Sequence, residues 1–143
     1  MAVPLKYQSL YLGLDGGGLS QPALMARTSY AAIEKYFPEP QSASPTPRAS
    51  AQGGQLYVGV TLGRLTCRNY YLARARYGPG LVVTLTVRQR RLPPRMACFE
   101  LIGPVRYQLL ALPLGQFPGH ARLTVLVHRP PGASLEQVRL HLP

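Results

Sequence analysis

Acidic residues are what this sequence has least of: five Asp plus Glu stand against 16 Lys plus Arg in 143 residues, a formal net charge of +11. Charged residues amount to 15%, below the roughly 25% of an average soluble domain. The positive balance therefore reflects missing acids rather than surplus bases. Asp15, Glu34, Glu39, Glu100 and Glu136 lie in separate elements or across a helix end, so no pair of carboxylates is set up for acid–base catalysis. Cysteine is also scarce. Cys67 and Cys98 are too far apart in sequence for a CxxC redox pair or a close-spaced zinc knuckle. They read as two buried thiols, with a disulfide between neighbouring strands as the alternative. His120, His128 and His141 form neither HxH nor HExxH, and no metal or cofactor is expected. Long apolar runs are missing as well: the best, LIGPVRYQLLALPLG, contains Arg106 and two prolines, short of the roughly eighteen residues that span a bilayer. The opening MAVPLKYQSLYLGL lacks the pattern of an export signal. These absences predict a soluble protein without a membrane partner.

What is present is unevenly distributed. The length suits one domain with a core that needs no staple. Residues 1–50 hold four bases and three acids, whereas 51–143 hold twelve bases and two acids. Between these parts, PEPQSASPTPRASAQGG (38–54) offers little apolar area to offset ordering entropy and reads as a linker or a surface-tracking arm. The expected organisation is a strand-helix appendage over 1–37, a Pro/Ser/Ala/Gly-rich arm over 38–54 and a β-rich domain over 55–143. In the appendage, LKYQSLYLGL places apolar residues on both parities, so an edge strand there needs a shifted register or two covered faces. Ser20 and Pro22 resemble a helix entry, and Leu24, Ala32 and Tyr36 recur near helical intervals before Pro38, which predicts a helix over 22–36.

From residue 55 the apolar period becomes two. Leu56, Val58, Val60 and Leu62 share one parity, as do Leu81, Val83, Leu85 and Val87. Further strands are expected at 97–102, 105–112, 121–128 and 137–142, separated by Gly/Pro punctuation. The fold class predicted is mainly β, an antiparallel β-sandwich or a partly closed barrel with an N-terminal helical arm. TCRNYYLARARY (66–77) fits a strand or a short helix, and the period of its neighbours favours strand.

Residues 64–95 carry eight arginines and no acid: Arg64, Arg68, Arg74, Arg76, Arg88, Arg90, Arg91 and Arg95. Such a density repels itself unless an anionic partner relieves it, and planar guanidinium groups suit phosphate or carboxylate. Tyr70, Tyr71 and Tyr77 lie among these arginines and offer rings on which unpaired bases can stack. In a regular strand Tyr70 shares the parity of Arg68, Arg74 and Arg76, and Tyr71 does not, which makes Tyr70 the stronger stacking candidate. The same residues also suit a subunit interface, with Arg stems and Tyr rings packed against a neighbour. RQRRLPPR (88–95) reads as an inter-strand loop and, secondarily, as a nuclear-localisation signal.

LGLDGGGLS (12–20) resembles the glycine-rich oxyanion loop of patatin-like lipases and the phosphate loop of some sugar kinases. The resemblance covers fewer than ten positions and implies a hydrolase reading through backbone amides that stabilise developing charge. A GxSxG elbow and a GK[ST] ending are absent, so the segment reads as a glycine turn and the protein as not an enzyme. Low charge and repeated short strands lead to a structural component of a homo-oligomeric assembly, of the kind found in viral capsids, tails and other virion parts. Its expected place is a virion or the host-cell interior, otherwise the cytoplasm. The alternative is a small RNA- or DNA-binding protein that uses the Arg/Tyr-rich face.

Overall fold

The computed structural model describes residues 3–14, 21–40, 54–64, 68–91, 105–129 and 134–143. They form strands β1 (Val3–Pro4), β2 (Gln8–Leu14), β3 (Leu24–Arg27), β4 (Gln55–Arg64), β5 (Arg68–Gly78), β6 (Val82–Arg91), β7 (Val105–Pro113), β8 (Arg122–Arg129) and β9 (Ser134–His141), with helix α1 (Tyr30–Glu34) after β3. Two sheets result, ordered β1-β5-β6-β8-β9 and β2-β7-β4-β3. The fold is mainly β and is not a closed barrel. No helix among the described residues is long and apolar enough to cross a membrane.

Alternation along the strands produces a core shared by both sheets. Val83, Leu85 and Val87 of β6 and Leu123, Val125 and Val127 of β8 meet Leu56, Val58, Val60 and Leu62 of β4 and Leu110 and Leu112 of β7. All twelve are buried. The opposite parity of β7 faces away from this core. There Tyr107, Leu109 and Ala111 pack with Leu10, Tyr11, Ile33 and Phe37, so α1 and the residues just after it cover the outside of the four-stranded sheet. Phe37 meets Tyr107 edge-on at 5.7 Å. The hydroxyls of Tyr11 and Tyr107 donate to the carbonyls of Phe37 and Pro38, tying down the chain beyond the helix. Gly59 lies beneath Phe37, and any Cβ there would fall inside that ring.

The expected helix over 22–36 and the helical arm built on it are not what forms. Leu24–Arg27 instead extends as β3 along β4, with Leu24 opposite Val60 and Ala26 opposite Val58. That pairing satisfies the backbone of an otherwise free β4 edge and buries Leu24 and Ala26 in the shared core. Tertiary pairing here outweighs a weak helical preference, and helix remains only at Tyr30–Glu34. Residues of the N-terminal third thus supply β1, β2 and β3, the outermost strands on one side of the five-stranded sheet and on both sides of the other. β2 follows the shifted-register option: a break between Ser9 and Tyr11 lets Leu10 and Tyr11 both be buried.

The strands expected at 55–63, 66–77, 80–89, 105–112, 121–128 and 137–142 correspond to β4 through β9. The one pairing that departs from an antiparallel arrangement among the described strands is β6 with β8, which run parallel because β7, between them in sequence, lies in the other sheet. The strand expected at 97–102, the turn at 15–18, the stretch 41–53, Cys67 and Cys98 lie outside the described residues.

Candidate functional site

The inner face of the five-stranded sheet and both faces of the other are packed. Among the described residues, the outer face of the five-stranded sheet carries no buried side chain, and it is the surface on which the basic residues collect. How they reach it depends on one irregularity. β5 and β6 pair as Leu72 with Val87 and then Arg74 with Thr86, so Ala73 is an extra residue in β5, a β-bulge. A bulge reverses which parity faces the core. Before it, Tyr70 and Leu72 pack on the shared core; after it, Ala75 and Tyr77 do. Tyr71, Arg74 and Arg76 therefore share the outer face.

This reverses the stacking assignment drawn from regular alternation. Tyr70 lies over Gly63, whose absent side chain leaves room for the ring. Tyr71 is opposite Arg88 on the outer face, with the Arg90 guanidinium carbon 5.2 Å from its ring centroid. Tyr77 is also turned inward and packs edge-on against Phe117 at 5.2 Å.

Along the β5/β6 hairpin the outer face consists of four successive rows: Arg76 opposite Thr84, Arg74 opposite Thr86, Tyr71 opposite Arg88 and Asn69 opposite Arg90. Rows lie about 6.8 Å apart, two residues of antiparallel rise. Each contains one arginine beside an uncharged partner, which avoids the cost of like charges directly opposite each other. Arg76, Arg88 and Arg90 are exposed and Arg74 is half-exposed. Arg74, Arg76, Thr84, Thr86 and His128 border an open depression of about 510 Å³. Asn69 accepts a hydrogen bond from Arg106 of the other sheet, which steadies the far end of the hairpin.

Other site residues from the sequence fall elsewhere. Arg64 is opposite Val105 in the four-stranded sheet, Arg68 and Arg91 are paired with each other at the far end of the hairpin, and Arg95 lies outside the described residues. Two basic positions left out of the sequence-based set join the same outer face: Arg122 opposite His141, and Arg139 opposite Thr124. Their strand parity was a visible signal, but membership of one sheet with β5 and β6 was not. His128 and His141 do not meet, because His128 lies six positions along β8 from the partner of His141, about 20 Å away.

No carboxylate among the described residues lies on this face. Glu136 occupies the core-facing register opposite Val127 and sits 3.8 Å from Arg129, while Glu34 and Glu39 belong to the segment covering the other sheet. Arg129 is a structural cation. Its guanidinium donates to the Ala23 carbonyl at 2.7 Å, clipping the sheets together, and burial lowers its pKa while Glu136 opposes that shift. Among the described residues no group of three or more His, Cys, Asp or Glu is placed to hold a metal ion. No protein-family model matches the chain, nor does any curated protein or solved structure.

Proposed function

We propose that this chain is a non-enzymatic binding protein, built as a largely antiparallel β-sandwich, whose outer basic face docks on a polyanion. The observation that supports this reading is the segregation of Arg74, Arg76, Arg88, Arg90, Arg122 and Arg139 onto the outer face of the five-stranded sheet, which no described element covers, with no carboxylate among the described residues beside them. Six guanidinium groups on a rigid sheet release counterions from a polyanion and form charge-assisted hydrogen bonds without reordering the backbone. The half-exposed hydroxyls of Thr84 and Thr86 add neutral donors within the same rows. Binding to heparin, a polyanion without bases, tests the reading. Retention should fall steeply with added salt, and replacing Arg74, Arg76, Arg88 and Arg90 by Ala should abolish it while the fold persists by circular dichroism. Unchanged retention by that variant removes the proposal.

One observation favours a second reading, the homo-oligomeric structural component. β2 is an outermost strand, contains no charged residue or proline, and exposes Leu12 and Leu14 at 47% and 52%. Beyond its bulge near Leu10, it therefore lacks the charge and proline that guard an edge against strand addition. Light scattering of nuclease-treated protein distinguishes the readings: an oligomer that persists at high salt and dissociates on Leu12→Lys supports assembly through β2, whereas a monomer at every salt concentration excludes it.

A further inference from the structure

We infer that the partner of the basic face is a single-stranded nucleic acid lying along the β5/β6 hairpin, with its phosphates on Arg76, Arg74, Arg88 and Arg90 and a base stacked on Tyr71. This rests on the polyanion reading and narrows it to one class of ligand.

The first argument is linearity. The four arginines occupy consecutive rows, one per row, moving from β5 to β6 midway. Over three row intervals they trace a path of about 20 Å. A regularly charged flexible strand can follow such a line, placing a phosphate at each guanidinium.

The second argument is width. At the Arg74 and Arg76 rows the hairpin is flanked by further strands, β8 pairing through Val82–Thr86 and β1 reaching Arg76. Five strands side by side measure about 19 Å at 4.8 Å per strand, wider than the roughly 12 Å major groove of B-DNA. The whole track cannot enter a duplex groove, whereas an open sheet is accessible to unpaired bases.

The third argument is the ring. The Ala73 bulge turns Tyr71 onto the arginine face instead of into the core, where the Arg90 guanidinium lies over the ring and a base stacks by taking its place. An aromatic set within a basic track supplies a sequence-tolerant stacking surface. A protein interface also packs tyrosine rings, and the polyglutamate probe in the test separates that outcome.

The test is fluorescence anisotropy with the full chain and four probes: a thymidine oligonucleotide of about a dozen nucleotides, the corresponding duplex, heparin and polyglutamate. The single strand should bind tightest. Tyr71→Ala should weaken single-strand binding about tenfold, leave heparin binding unchanged and leave the salt slope intact; Tyr71→Phe should restore affinity. Replacing Arg74 and Arg76 by Ala should flatten the slope of log affinity against log salt by about 1.4, two single-strand phosphate contacts' worth. Equal or tighter binding of the duplex or polyglutamate overturns the inference, as does Tyr71→Ala with unchanged single-strand affinity. In those cases Arg-dependent heparin binding would leave the polyanion reading standing. Failure of both heparin and the oligonucleotide to bind at low salt would overturn both.

Discussion

Adjacent tyrosines with opposite roles provide the sharpest check on the Ala73 bulge. Tyr70 and Tyr71 are both half-buried, but Tyr70 packs on the shared core whereas Tyr71 sits on the arginine face against Arg90. Truncating a fully buried aromatic to Ala costs about 3–5 kcal/mol, so Tyr70→Ala, removing a ring buried on one side, should cost about 2 kcal/mol. Tyr71→Ala gives up little more than an exposed cation–π contact, about 0.5 kcal/mol. Equilibrium urea unfolding resolves the difference. With a denaturant slope of about 2 kcal/mol per molar, Tyr70→Ala should lower the midpoint by about 1 M, four times the shift for Tyr71→Ala. Deleting Ala73 tests the cause directly. Without the extra residue, one half of β5 must turn its core-facing side chains to solvent, either Tyr70 and Leu72 or Ala75 and Tyr77. The deletion should cost at least as much as Tyr70→Ala. Equal effects of the two tyrosine substitutions, or a deletion without loss of stability, would refute the bulge and the arginine track built on it.

Three further outcomes follow from the packing. Burial, followed by the neighbouring Tyr30 hydroxyl, holds the Tyr11 phenol well above its usual 10.0. The unfolded chain therefore loses this proton first as pH rises, and the contribution is complete below about pH 10 and declines above it by about 1.4 kcal/mol per pH unit. Unfolding measured between pH 9 and about 11 should show that slope reduced in Tyr11→Phe; identical slopes would remove the assignment. Phe37→Ala should cost about 3–5 kcal/mol as a cavity beneath α1, and Gly59→Ala about 1–3 kcal/mol by displacing the same ring. Thermal unfolding reads both, and a neutral Gly59→Ala would contradict the close Phe37 approach. Arg129→Ala should cost about 1–3 kcal/mol through the lost charge-assisted bond to the Ala23 carbonyl, which keeps only its Thr61 donors, and through lost stem packing, with Arg129→Met recovering part of it because the stem is kept; equal losses would show that the stem contributes nothing.

The amino-acid sequence by itself determined the β character of the chain and the location of its charge. Period-two runs such as Leu56–Leu62 and Val83–Val87 have one half-buried conformation that suits them, and the stretch from Arg64 to Arg95 has no acid to neutralise it. Both properties follow from side-chain order alone. Tertiary structure decided the rest. Leu24 fits a loose helical pattern with Ala32 and Tyr36 and a strand pattern with Ala26, and only the open edge of β4 selects the strand. Arg122 and Arg139 join the arginine face because β8 pairs in parallel with β6, a contact between segments about forty residues apart. Tyr71 replaces Tyr70 on that face because Ala73, a residue with nothing to mark it, is extra relative to β6. A bulge exists only relative to a partner strand, so no count along β5 alone could reveal which of the two tyrosines faces outward.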